Sequence, residues 1–168
     1  QRRSAPLLIA PTGSNGMWRV GADTMLARTA KHAGIGYIQS TVSTASVEEI
    51  AAENLPQHWF QLYVLKDRSV TTRLLERAKA AGCTTLVVSV DAVHFGNREK
   101  DKPNYRRPMK LSMLSMIDVA LHPGCVWRTL KPAGMPGFGN LKLYVPADKQ
   151  RGAGGASYFS EQMDTRLN

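Results

Sequence analysis

Polar side chains recur where short apolar runs end. Thr12 and Gly13 follow residues 6–10, Ser40 closes residues 37–39, Gln61 and Tyr63 interrupt residues 59–64, and Ser89 and Asp91 bracket the end of residues 86–90. Hydroxyls, a carboxamide and the backbone N–H groups beside a glycine offer alternating donors and acceptors, the set that a planar heterocyclic cofactor needs along its edge. Each position also has a plainer use. Ser40 and Ser89 could simply pack, and Asp91 could cap the segment after its strand.

The elements that must position these residues follow from the spacing of apolar side chains. Residues 6–10 form a short apolar run closed by Pro11-Thr12-Gly13, too short for a helix and therefore a strand. Residues 37–40, 59–64 and 86–90 read as three more strands. Between them lie helical patterns: Asp23 as a cap before Met25, Leu26, Ala30 and Ala33; Ser46 with Glu49 as a capping box; and Asp67 as a cap before Val70, Leu74, Ala78 and Ala81. The segment Ala30-Lys31-His32-Ala33-Gly34 returns as Ala78-Lys79-Ala80-Ala81-Gly82, each time shortly before a strand. Strands buried on both faces and separated by helices need parallel crossovers, as in an open doubly wound sheet or a (βα) barrel. Both architectures place ligands at the C-terminal ends of their strands, where the polar residues fall.

After Asp91 the rhythm breaks. Residues 92–168 are rich in Met, Gly and Pro and give no clear fifth strand; residues 111–121 have a helical pattern, residues 149–156 read as a Gly-rich loop, and residues 158–164 carry a weak helix signal. His32 and His58 read as structural or exposed, and His94 as a loop residue.

At 168 residues and 43% hydrophobic, the chain can bury a core of its own. A net charge of +9 invites anionic partners, but the bases are dispersed, and in the densest run, residues 98–107, acids interrupt them. A solvated loop outweighs a nucleic-acid patch there. Cys83 and Cys125 match neither a disulfide framework nor a metal-ligand spacing, so thiols and no metal are expected. No run approaches the ~20 apolar residues of a membrane span, and residues 1–4 lack the apolar stretch of a signal peptide, which predicts a cytoplasmic location with peripheral membrane contact left open.

Taken together, Pro6-Leu7-Leu8-Ile9-Ala10-Pro11-Thr12-Gly13, Gln39-Ser40-Thr41-Val42-Ser43, Trp59-Phe60-Gln61-Leu62-Tyr63-Val64 and Thr85-Leu86-Val87-Val88-Ser89-Val90-Asp91, followed by Gly96-Asn97-Arg98-Glu99-Lys100-Asp101, resemble the FMN-dependent 2-hydroxy acid dehydrogenase family. Leu121-His122-Pro123 and Gly134-Met135-Pro136 resemble its mandelate dehydrogenase branch. The resemblance implies an α/β chain of the (βα)8 TIM-barrel family, with residues 1–91 carrying strands 1–4 and residues 92–168 forming a long excursion after strand 4. It implies FMN as the cofactor, held by Pro11, Thr12, Gly13, Ser40, Gln61 and Ser89. The last of these stands where the family usually has threonine.

By the same resemblance Tyr63 binds the substrate or polarises its hydroxyl, Asp91 pairs with the catalytic histidine, and Arg98 grips the substrate carboxylate. A loop ion pair with Glu99 or Asp101 is the competing use of Arg98. The family's histidine lies in a Ser-Asn-His-Gly-Gly-Arg segment that does not occur among these residues, so the base is expected from elsewhere. The predicted reaction is oxidation of a mandelate- or lactate-like 2-hydroxy acid to the 2-oxo acid, completed by the C-terminal half of the barrel in a homo-oligomer. The membrane surface is a further expected partner. A non-catalytic flavin-binding or self-associating half-barrel and a basic membrane-surface module are the alternatives, and this piece alone is expected to be inactive.

Overall fold

In the computed structural model, residues 5–90, 105–107, 110–111, 113–124, 127, 137–146 and 154–163 are described. Four parallel strands form one sheet in chain order: β1 (Leu8–Ile9), β2 (Gly36–Ser40), β3 (His58–Tyr63) and β4 (Thr85–Ser89). Parallel neighbours cannot be joined by a tight hairpin, so each connection carries a helix. These helices are α1 (Ala22–Ala33), α2 (Val47–Ala51) and α3 (Arg68–Ala80). The register sets Tyr37 beside His58, Ser40 beside Gln61 and Tyr63 beside Ser89. Because side chains alternate along a strand, Tyr37, His58, Phe60 and Leu62 share one face, while Ser40, Gln61, Tyr63 and Ser89 share the other.

Helices cover the first face. Tyr37 packs with Ala27 and Ala30 of α1 and Ile50 of α2, and Phe60 and Leu62 pack with Val47 of α2 and Ala78 of α3. Each large apolar side chain buried this way contributes about 1.5–3 kcal/mol, so these clusters fix the helices against the sheet. A third cluster joins Leu65, Val70 and Leu74 to Leu141, Val145 and Tyr158.

Local signals set several element ends as expected. Glu49 N–H donates to Ser46 Oγ while Ser46 N–H donates to Glu49, closing the capping box of α2, and Asp67 accepts from Ser69 N–H at the start of α3. Asp23 is different. The N-cap of α1 is Gly21 at φ 74°, without a side-chain cap, and Asp23 lies inside the helix with its carboxylate directed to other elements. The strand at residues 6–10 contracts to the two residues of β1. β4 is not buried on both faces: Leu86 and Val88 are 44% and 46% exposed at the sheet's edge.

The excursion also departs from its predicted outline. Tyr105–Arg107 (β5) and Lys110–Leu111 (β6) form a separate antiparallel pair, so Leu111 belongs to a strand and the helix α4 starts at Met113 and ends at Leu121. A last helix, α5 (Gly154–Gln162), takes in Gly154, Gly155 and Ala156, which the glycines had suggested were loop. Residues 137–146 reach the core, where Leu141 and Val145 pack with Leu65 and Leu74. Asn140 and Leu141 are fully buried, and α5 is tied to the end of β3 by Lys66 N–H donating to Gln162 O (2.7 Å) and a Leu65–Met163 bridge.

Candidate functional site

Ser40, Gln61 and Ser89 meet across three adjacent strand ends. Ser40 Oγ donates to Gln61 Oε1 at 3.0 Å, and Gln61 Nε2 donates to Ser89 Oγ at 2.9 Å. The parallel register produces this line, since it puts Ser40 beside Gln61 and Ser89 beside Tyr63, two residues further along β3 on the same face. Ser40 and Gln61 are buried, and Ser89 is half-buried. A hydroxyl that accepts still has its own hydrogen to give, so the line can present donors and acceptors together.

The loop after β1 sits beside it. Ser14 N–H donates to Val42 O at 3.0 Å, bringing residues 11–14 against the segment that follows Ser40. Thr12 and Gly13 are exposed and Pro11 is half-buried. A Cβ on Gly13 would lie 2.5 Å from Val42 Cγ2, so glycine permits this close approach of the two loops. An accessible glycine backbone next to a hydrogen-bonded hydroxyl and carboxamide is chemistry that fits the edge of a flavin.

Tyr63 is half-buried, its ring edge-on to Phe159 of α5 at 5.7 Å, and Phe159 is in turn edge-on to Phe138 at 5.9 Å. Its backbone N–H donates to Thr41 Oγ1 at 3.0 Å. Thr41 extends the β2–β3 ladder by one residue, because its N–H and hydroxyl both donate to Gln61 O, at 2.9 and 2.7 Å. Asp91, Arg98 and His94 lie outside the described residues.

Four side chains hold these loops: Asn15, Thr44 and Asn140, which carry no local sequence signal, and Asp23, which its position marks only as a helix cap. Asn15 Nδ2 donates to Thr12 Oγ1 (2.8 Å) and to Asp23 Oδ1 (2.7 Å). Asp23 Oδ2 accepts from the N–H groups of Thr44 (2.8 Å) and Ala45 (3.1 Å) and from the Thr44 hydroxyl. Thr44 Oγ1 accepts from Gly16 N–H at 3.1 Å. Asn140 reaches the same segment from the excursion. Asn15 to Asp23 is a short step that helix spacing hides, and Asn140 lies a hundred residues from its partner Ser40, beyond any local signal.

His58 belongs to the opposite, helix-covered face. It sits 2.9 Å from Gln39 Oε1 and 3.5 Å from Cys83 Sγ. Burial pushes the His58 imidazole down to about 4 and the Cys83 thiol up to about 11, so at neutral pH both stay uncharged, on the face turned away from Ser40 and Gln61. Of the two readings the sequence leaves for His58, structural or exposed, the structure shows a buried residue, 4% exposed. Among the described residues no group of His, Cys, Asp and Glu could hold a metal ion.

The sequence model of a family described as FMN-dependent dehydrogenase matches residues 1–168. The (S)-mandelate dehydrogenase of Pseudomonas putida is 38% identical over 170 residues, a match covering 100% of this chain and 42% of that protein. An L-lactate dehydrogenase of Xanthomonas euvesicatoria pv. vesicatoria (strain 85-10) is 38% identical over 139 residues, covering 83% of this chain and 36% of the relative. Among solved structures, the monotopic membrane protein (S)-mandelate dehydrogenase superposes with a TM-score of 0.83 at 36% identity, covering 99% of this chain and 43% of that one. A mandelate oxidase with benzoyl-formic acid gives a TM-score of 0.58 at 36% identity over 62% of this chain and 31% of its own. The chain thus spans less than half the length of these relatives.

Proposed function

Because this chain belongs to the FMN-dependent dehydrogenase family, we propose that it forms the N-terminal half of a (βα)8 barrel that oxidises a mandelate- or lactate-like 2-hydroxy acid to the 2-oxo acid. The observation that carries this reading is the hydrogen-bonded line Ser40–Gln61–Ser89 beside the Thr12–Gly13 backbone. Residues 92–168 are its excursion after strand 4. A complementary barrel half would cover the exposed Leu86 and Val88 of β4.

FMN, when bound, supplies the acceptor for the hydrogen and electron pair that leave the substrate's C2. Pro11, Thr12, Gly13, Ser40, Gln61 and Ser89 hold and orient it. The Tyr63 phenol hydrogen-bonds the substrate hydroxyl, and the Arg98 guanidinium, a planar fork, pairs with the carboxylate. The hydroxyl proton passes to a histidine from a segment outside these residues, and Asp91 stabilises the imidazolium that results.

In the complete FMN-loaded enzyme, with the histidine-bearing half of the barrel present, anaerobic mixing with (S)-mandelate or L-lactate should bleach the flavin band. In Arg98→Met the apparent substrate dissociation constant should rise roughly 10- to 100-fold while FMN stays bound, the effect of losing a charge-assisted hydrogen-bonded pair. A wild type that is not bleached by any 2-hydroxy acid would sink the assignment; an Arg98→Met with unchanged binding would remove that residue alone.

Membrane contact is part of the proposal. Along α4 and beyond, Met113, Met116, Ile117, Leu121 and Trp127 are exposed, and Lys110, Arg128 and Lys131 flank them in sequence. Among the described residues no helix is long and apolar enough to cross a membrane, so α4 would lie in the interface plane. The superposable mandelate dehydrogenase is a monotopic membrane protein, which supports this placement. Replacing Met116, Ile117 and Leu121 together by Ser should cut partitioning onto anionic vesicles by more than about tenfold, since each fully inserted apolar side chain is worth about 1.5–3 kcal/mol. Equal co-sedimentation of the variant and the wild type would leave α4 as an internal contact.

A further inference from the structure

We propose that Asn140 is a positioning residue for the FMN site, setting the end of β2 from the excursion that follows β4; this rests on the functional reading above. The carboxamide of Asn140 is fully buried and spans two elements. Its Oδ1 accepts from Val47 N–H, the first residue of α2, at 2.8 Å, and its Nδ2 donates to Ser40 O at 3.2 Å and Thr41 O at 3.5 Å. Ser40 is the residue whose hydroxyl begins the line to Gln61 and Ser89. Asn140 therefore holds the backbone that aims that hydroxyl.

Its own backbone is fixed with equal care. Gly139 N–H donates to Ser43 O at 3.0 Å, and a Cβ on Gly139 would lie 2.5–2.7 Å from backbone atoms of Thr44, Ala45 and Ser46. Those atoms belong to a loop that cannot move aside like a side-chain tip. From the other side, Arg77 donates to Asn140 O at 2.8 Å while its remaining nitrogens grip both carboxylate oxygens of Glu48 at 2.7 and 2.8 Å. Leu141 and Val145 then enter the core with Leu65, Val70 and Leu74. This arrangement adds no pair to the ladders of the parallel sheet. It joins a remote segment to one strand end, and that strand end carries the candidate cofactor contact.

Asn140→Asp tests the role because it keeps the shape and the acceptor toward Val47 but turns the donor into a carboxylate oxygen facing two carbonyls. Burial against those carbonyls raises the pKa of the new carboxyl, and once protonated its O–H can donate again. The FMN dissociation constant and the visible circular dichroism of the bound flavin should be measured at pH 8 and pH 5.5 in the complete flavoprotein. At pH 8 the variant should bind FMN at least about tenfold more weakly than wild type, with a changed dichroism band, and at pH 5.5 the ratio of the two dissociation constants should fall toward one, a ratio from which the titration of the FMN phosphate, common to both proteins, drops out. A role in stability alone would lower the melting temperature and leave the dichroism band and the pH dependence of binding untouched. Wild-type FMN affinity and dichroism in Asn140→Asp at pH 8 would overturn the inference. If that variant does not fold at pH 8, Asn140→Ser, which leaves room for a bridging water, decides it by the same two readouts. A wild-type protein that takes up no FMN removes the functional reading and this inference with it; one that binds FMN alongside an indifferent variant removes only the inference.

Discussion

Asp23→Ala should destabilise the protein by about 2–6 kcal/mol, because two backbone N–H groups lose their acceptor and an orphaned buried donor costs about 1–3 kcal/mol. Those donors are Thr44 and Ala45, and neither can turn to a new partner without moving the loop. Asn15 and the Thr44 hydroxyl also lose Asp23, but side chains can re-aim. A carboxylate in the first turn of α1 also interacts with the helix dipole, worth about 0.3–1 kcal/mol, which is too small to account for such a loss. The hub role therefore dominates over the helix-end role. Asp23→Asn separates them further: its remaining oxygen can still serve Thr44 and Ala45, so it should cost clearly less than alanine in a denaturant titration followed by fluorescence. Equal unfolding midpoints for wild type and Asp23→Ala would show that the loop does not depend on this acceptor.

The same residue shows what the sequence could and could not disclose. Ser46 with Glu49, and Asp67 with Ser69, are caps whose partners lie within three residues, so type and spacing were enough. Asp23 offers a cap's signature as well, but Gly21 takes the left-handed conformation and starts the helix first, freeing the carboxylate for Thr44 across the fold. Spacing could not tell these outcomes apart. The parallel sheet was legible from alternating apolar runs and helical patterns, and the convergence of Ser40, Gln61 and Ser89 follows once the register is known.

The excursion was read less well, for a physical reason. Its helix and strand ends depend on contacts made far along the chain, such as Asn140 with Ser40, Lys66 with Gln162 and Phe159 with Tyr63. Gly154 and Gly155 disfavour a helix by their own propensity, yet Tyr158 buries against Leu65 and Leu74, and tertiary packing outweighs roughly 1 kcal/mol per glycine. In the other direction, the helical pattern of residues 111–121 runs on into a strand pair at Leu111 because hairpin pairing with Tyr105 is available there. Local periodicity located the elements and long-range pairing trimmed them.

In the complete enzyme, Asp91→Asn should slow flavin reduction by substrate roughly 100-fold or more, the lower range of what a positioned acid–base group contributes, while changing substrate affinity by only a few-fold. The motive is the proposed pairing of Asp91 with the histidine that takes the hydroxyl proton, two positions after Ser89 of the cofactor line. A carboxylate stabilises imidazolium far more than neutral imidazole, so its interaction grows as the proton arrives and its loss appears in the rate and not in ground-state binding. The pH profile supplies a second readout. Removing the negative charge lowers the histidine's pKa, so the rising acid limb of the reduction rate should move to lower pH even as the plateau falls. Stopped-flow reduction under anaerobic conditions measures both quantities. If Asp91 only caps the segment after β4, its substitution can lower stability but gives no reason for the acid limb to shift, and a variant with the wild-type rate and limb would return Asp91 to that role.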